Sequence, residues 1–158
     1  LLTQQAIKIE TEDNYNSLSK KLSILGKKLI LESLVKLKNK TDKFIEQDES
    51  KVTYARKIQK KESEINWNEP AKKLIAKING LNPYPGAWFK HHKTRIKIIQ
   101  AVEVKHNGKV GEILDDNLTI ACKKNAIKIL LIQKEGKTVL NTKSFLSGYR
   151  IKKGEILL

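Results

Sequence analysis

The chain has 158 residues, enough for one domain of ordinary size or for a small domain plus part of another. Its formal net charge of +15 argues against an acidic small molecule as the main partner and for a polyanion such as nucleic acid. Cys122 stands alone, which excludes an internal disulfide and a Cys-based metal centre, and no apolar run approaches the ~20 residues that a bilayer requires. The expectation is a cytoplasmic protein with no membrane partner.

Leu1 to Ile9 lacks a charged leader and a cleavage site; it reads as an edge or terminal strand rather than a signal or transit peptide. Thr11 and Asp13 then offer N-cap oxygens for a helix running to about Lys38. Leu18, Leu22, Leu25 and Leu29 give it an apolar stripe, and Ile30, Leu31, Leu34 and Val35 widen that stripe beyond what one neighbour covers. Such a helix expects a sheet beneath it, and the partner is expected in sequence outside this chain. Asn39 to Ser50 reads as a polar connector anchored by Phe44 and Ile45. Thr53 to Trp67, TYARKIQKKESEINW, concentrates Arg56, Lys57, Lys60 and Lys61 between Tyr54 and Trp67, and it lies where the apolar period changes from helical to strand-like.

A short helix follows, with Asn68 as N-cap, Pro70 in the first turn, Leu74, Ile75 and Ile78 facing the core, and Gly80 as its stop. Asn82-Pro83-Tyr84-Pro85-Gly86 must be a loop, and it delivers Trp88 and Phe89 to a barrel. From Arg95 the period is two, placing Ile96, Ile98, Val102 and Val104 on one face and Lys97, Glu103 and Lys105 on the other. Asn107-Gly108 is the strongest hairpin signal. Val110 to Leu114, Leu118 to Ala121 and Ile127 to Gln133 supply further strands, and Asn141 or Thr142 caps a last helical turn that Gly148 stops. About five short strands with one helix fit an α+β domain built on a small OB-like β-barrel better than a sandwich, which needs ~7.

Several segments together resemble a known family. Gln47 to Trp67, Ile78 to Phe89 (INGLNPYPGAWF) and Ser144 to Leu157 (SFLSGYRIKKGEIL) are similar to the linker and C-terminal domain of bacterial methionyl-tRNA formyltransferases, and Asn14 to Leu34 resembles the last helix of that family's catalytic domain. The resemblance implies three parts: residues 1–44 as a strand-helix remnant of a Rossmann-like α/β formyltransferase domain, 45–64 as a basic linker, and 65–158 as an OB-like tRNA-binding domain. It further implies a whole enzyme, monomeric, that moves a formyl group from 10-formyltetrahydrofolate to the amino group of initiator methionyl-tRNA, without a metal. The family's catalytic Asn, His and Asp and its folate site belong to the N-terminal half, so no residue here inherits them. The positions matching tRNA contacts are Arg56, Lys57, Lys60, Lys61 and Arg150, with Lys90 and Lys93 added on charge and on their place after the NPYPGAWF loop. A related sugar-nucleotide formyltransferase and a free-standing RNA-binding module are the alternatives.

The remaining residues suggest no catalysis. His91 and His92 are neighbours that a strand would point to opposite faces, with no Cys, Asp or Glu at ligand spacing, so they read as a polar turn. Asp115-Asp116 reads as a turn pair. Trp67 and Trp88 read as packing residues rather than stacking platforms, and Tyr54 is open to either. Because only Arg56, Arg95 and Arg150 are Arg while Lys, Ile and Asn abound, part of the positive charge reflects compositional bias.

Overall fold

The computed structural model describes residues 1–157, which fall into two compact units, Leu1–Lys57 and Ile58–Leu158. Leu158, the final residue of the expected barrel domain, lies outside the described residues.

The first unit is built on α1 (Tyr15–Lys38). Its cap is Asn14, rather than Thr11 or Asp13: the Asn14 side chain accepts from the Ser17 N–H at 3.1 Å, and the Ser17 hydroxyl accepts from the Asn14 N–H at 3.1 Å. Asp13 sits behind this cap, where the Lys21 ammonium at 2.7 Å leads the contacts that hold its carboxyl down to about 2. No residue of α1 is buried, and Ile24, Ile30, Leu31, Leu34 and Val35 are all more than half exposed. Leu1 to Ile9 forms no strand, because an extended segment needs a ladder partner. Instead its end pairs with Ile45, through reciprocal bonds of 2.7 and 2.8 Å. Phe44 and Ile45 remain 67% and 66% exposed, so their side chains anchor nothing.

In the second unit α2 (Ala71–Leu81) precedes β1 (Ala87–His91), β2 (Thr94–Val104), β3 (Thr119–Ala121), β4 (Ala126–Lys134), β5 (Val139–Asn141) and α3 (Thr142–Gly148). The strands form one antiparallel sheet in the order β1-β2-β4-β3, with β5 also on β4. The nine-residue β4 thus offers its far edge first to β3 and then to β5. The path is open: the closed barrel expected from the sequence is not closed by strand pairing among the described residues. Single bridges extend it, Glu64 to Trp88 at one edge and Ile113 to Ile120 near the other. Trp67, Leu74, Ile78, Phe89, Ile96, Ile98, Ile120, Ile127, Ile129, Ile132 and Phe145 form the core between sheet and helices, at ~1.5–3 kcal/mol for each large side chain removed from water.

Three local expectations change, each for a physical reason. In β2 the register slips between Ile98, Gln100 and Ala101; a bulge exchanges the faces beyond it, so Ala101 is buried while Val102 is exposed and Val104 only partly covered. Asn107-Gly108 is no hairpin turn, since neither residue has the positive φ that a type I′ turn needs. Gly108 is there for space: an added Cβ would meet Leu114 Cδ2 at 2.5 Å. The tight turn lies instead at Asp115-Asn117, where the Asp115 carboxylate accepts from the Asn117 N–H and from both the N–H and hydroxyl of Thr119 at 2.8–3.0 Å. α2 continues through Gly80 because Leu81 is buried, and it starts one residue after Pro70, with the Ala71 N–H donating to the Lys124 carbonyl at 3.0 Å instead of to an Asn68 side chain. At α3 the Asn141 side chain accepts from the Ser144 N–H at 2.8 Å, the cap the sequence suggests.

Candidate nucleic-acid interface

Alternation along β1 sends Ala87, Phe89 and His91 inward and leaves Trp88 and Lys90 on the outer face. Cross-strand partners share a face, and the register pairs Trp88 with Lys97 and Lys90 with Arg95. The Arg95 guanidinium accordingly lies over the Trp88 ring at 4.4 Å, with the Lys90 ammonium at 5.9 Å. Trp88 is 7% exposed without joining the main core; arginine, lysine and backbone cover it.

That backbone is a 3₁₀ turn, Lys60–Ser63, docked on the edge of β1. The Trp88 indole N–H donates to the Lys60 carbonyl at 3.2 Å, and the Ile65 N–H donates to the Trp88 carbonyl at 2.7 Å. Lys77 braces the segment from below: its ammonium donates to the Glu64 carbonyl at 2.6 Å, and burial lowers its pKa. Lys60 therefore stands exposed on the face that carries Lys90, Arg95 and Lys97 around one indole, while Lys61, also exposed, lines a depression with Glu64, Ile65 and Trp67.

The residues expected to meet tRNA do not all converge. Lys60 and Lys90 come together here, with Lys61 next to Lys60 on the same turn. Lys93, exposed in the β1–β2 turn, and Arg150, exposed just past α3, belong to the other end of β1, where the Tyr149 hydroxyl lies 3.0 Å from His91 Nδ1. Arg56 and Lys57 are exposed in the first unit, on a stretch from Val52 to Gln59 that is not helical. Trp67 packs edge-on against Phe89 at 5.6 Å, as its packing reading requires, and Tyr54 is 93% exposed.

Arg95 and Lys97 were missed, although the alternation that put Ile96 and Ile98 inside already put both on the polar face. Their chemistry suits phosphate. A guanidinium stacked on an indole has lost much of its freedom before any ligand arrives, and guanidinium groups form charge-assisted, often bidentate bonds to phosphate. The Arg95 Nε is itself buried without a partner.

A second cluster also escaped. His91 is 4% exposed, with Nε2 2.8 Å from a Glu155 carboxylate oxygen that lies 64 residues further along the chain. The His92 ring is 4.2 Å from that of His91, not on an opposite face, because β1 ends at His91 and His92 turns with φ of 53°. Lys134 reaches over Tyr149 at 5.0 Å. The His91 hydrogen bond leads the contacts that lower the Glu155 pKa.

Residues 57–150 match the family described as formyl transferase, C-terminal domain. Among curated proteins the chain is 42% identical over 149 residues to the methionyl-tRNA formyltransferase of Pelagibacter ubique, covering 94% of this chain and 48% of that protein. To the enzyme of the same name from Ruegeria pomeroyi it is 37% identical over 154 residues, covering 98% and 50%. The chain thus spans about half the length of these relatives. Among solved structures, HypX variants from Aquifex aeolicus share the fold, the first with a TM-score of 0.68 at 18% identity over 96% of this chain and 31% of that one. A HypX structure in complex with tetrahydrofolic acid matches with a TM-score of 0.58 at 20% identity, covering 82% and 26%.

Proposed function

The chain belongs to the formyl transferase C-terminal domain family, and from that premise we propose that it is the C-terminal portion of a cytoplasmic methionyl-tRNA formyltransferase, in which it binds and positions initiator tRNA. The whole enzyme would transfer a formyl group from 10-formyltetrahydrofolate to the amino group of the methionyl-tRNA. The observation that carries the tRNA role is the outer face of β1 and β2, where Lys60, Lys90, Arg95 and Lys97 collect around Trp88. On this reading residues 1–44 are the end of the catalytic domain, 45–64 the linker, and 65–158 an OB-like module. The exposed apolar residues of α1 agree with a helix whose partner sheet belongs to that catalytic domain.

The folate and the formyl-transfer chemistry are assigned outside these residues. Two surface depressions among the described residues are open to solvent, one lined by Lys105, His106, Asn107, Lys124 and Asn125, the other by residues including Lys61, Glu64, Trp67 and Leu157. Neither is the enclosed apolar slot that a pteridine ring would fill, and the chain alone is expected to form no formyl-methionyl-tRNA.

Filter binding of initiator and elongator tRNAs across a salt series tests the role. Replacing Arg56, Lys57, Lys60 and Lys61 together by Ala should weaken both tRNAs by similar factors, since phosphate contacts carry no sequence information. It should also flatten the slope of log affinity against log salt by about 0.7 to 0.9 for each phosphate no longer neutralised. Unchanged affinity and slope would refute a tRNA role for these four residues.

A further inference from the structure

The chain brings two imidazoles and one carboxylate together where the sequence gives no hint of it. His91 ends β1, His92 opens the following turn, and Glu155 lies in the C-terminal segment that pairs with residues 111–113. One ligand atom from each of these residues lies within 4.8 Å of the others. We propose that His91, His92 and Glu155 form a zinc-binding site that clips the β1–β2 turn to the C-terminal segment.

The donor set is the first argument. Two imidazoles with one carboxylate suit Zn²⁺ among the common cations, whereas Mg²⁺ and Ca²⁺ require oxygen donors. The distances are the second. Tetrahedral zinc with bonds of about 2.0–2.2 Å holds its donors roughly 3.3–3.5 Å apart. His91 Nε2 and the Glu155 oxygen are now 2.8 Å apart, joined by a proton. Zinc takes the Nε2 lone pair of the neutral ring, so the ring proton moves from Nε2 to Nδ1, where the Tyr149 oxygen accepts it while its hydroxyl turns to the His91 carbonyl, and the pair opens by about half an ångström. His92 closes in from the other side, and it can, because it is an exposed turn residue.

The third argument is the support behind the ligands. A metal-binding histidine needs its other ring nitrogen held, and His91 Nδ1 meets the Tyr149 hydroxyl at 3.0 Å. Tyr149 is fixed in turn, its ring 5.2 Å from that of Phe145, which is buried in the core. His91 is itself buried, so a principal donor is already oriented before the metal arrives. Lys134 beyond Tyr149 and Lys93 beside His92 oppose a cation. Three protein ligands therefore give a site with water in its fourth position, weaker than a four-ligand structural zinc centre.

Isothermal titration of the chelator-treated chain with ZnCl₂, in a buffer that does not bind zinc, tests this. One zinc per chain is expected, with no competition from excess Mg²⁺. His92→Ala should lower the affinity at least about tenfold while leaving the circular dichroism of the metal-free chain unchanged, because His92 is exposed. Glu155→Gln should lower it similarly, and His106→Ala, which removes a histidine outside the cluster, should have no effect. Cobalt(II) reads the geometry without any variant: intense visible bands of a tetrahedral site are expected. Absence of stoichiometric binding, affinity that survives both His92→Ala and Glu155→Gln, or a weak octahedral cobalt spectrum would each overturn the site.

Discussion

The C-terminal segment is held against residues 111–113 by a short set of backbone bonds, and Gly111→Ala probes it most directly. Leu157 N–H donates to the Gly111 carbonyl at 2.9 Å, Gly154 N–H to the Ile113 carbonyl at 2.8 Å, and Ile113 N–H to the Glu155 carbonyl at 2.9 Å. Gly111 has φ of +81°, and a Cβ there would overlap the Leu157 carbonyl oxygen, a backbone atom that cannot rotate aside. The left-handed conformation costs a non-glycine residue about 1–2 kcal/mol. Displacing Leu157 loses one hydrogen bond, at about 1 kcal/mol, and exposes a side chain now 5% accessible, at about 1.5 kcal/mol or more. The sum is about 3–5 kcal/mol, and at roughly 4–8 °C per kcal/mol for a unit of this size the midpoint should fall by on the order of 15–30 °C. Gly136→Ala is the control: its φ is also positive, +72°, yet nothing lies within 4 Å of its added Cβ, so only the conformational cost applies. Thermal unfolding followed by the near-ultraviolet signal of Trp67 and Trp88 compares the two. Equal losses for both variants would refute the steric account and with it the tight docking of Leu157.

Three further outcomes follow from particular interactions. Arg95→Ala should uncover the Trp88 ring, raise its accessibility to an added quencher, and reduce the salt slope of tRNA binding by about 0.7; an unchanged quenching curve would mean that the stacked arrangement does not persist in solution. Ala101→Lys should destabilise the second unit by at least about 2 kcal/mol whereas Val102→Lys stays within about 0.5 kcal/mol, measured by urea midpoints; the reverse order would show that β2 runs without its bulge. Burial raises the pKa of Asp115, but the Thr119 hydroxyl and the Thr119 and Asn117 N–H groups outweigh it and the net shift is downward, as it is for Glu155 through His91. Stability from both is therefore full above the ordinary carboxylate range and lost as pH falls through their folded values. Urea midpoints between neutral pH and about pH 3 should fall less steeply for Asp115→Asn than for the parent chain, and parallel curves would count against the turn.

What the sequence revealed was mainly what depends on near neighbours. The helix α1, the Asn141 cap, the break at Asn82 to Gly86 and the inward set of Ile96 and Ile98 were legible because side-chain period and turn chemistry act over a few residues. The β2 bulge was not, since nothing in QAVEV distinguishes a slipped register from a regular one until β4 supplies the partner. Asn107-Gly108 misled for a related reason: glycine answers both to a turn and to a crowded neighbour, and Leu114 decided the matter from further along the chain. At the site, charge density around residues 56–61 was visible. The gathering of Lys60, Lys90 and Arg95 about Trp88 was not, because it depends on the pairing of Lys90 with Arg95 and on the indole bond to the Lys60 carbonyl. His91, Tyr149 and Glu155 were further from reach, being joined across about sixty residues of chain.

Trp88 shows why packing and binding should not be treated as competing roles for an aromatic residue. Its ring is nearly inaccessible, so it is not itself a platform on which a base could stack. Yet it lies outside the main core, and its cover consists of the groups proposed to meet phosphate: the Arg95 guanidinium, the Lys90 ammonium and the Lys60 backbone. The indole acts as a jig. Its face orients Arg95 and its N–H fixes the turn that carries Lys60 and Lys61, so several cations are held at defined places against their mutual repulsion. Removing Trp88 would therefore disturb folding and charge display together, and a loss of tRNA binding in such a variant would not separate them. Arg95 is the more informative position, because its guanidinium can be deleted while the indole N–H still holds the Lys60 turn in place.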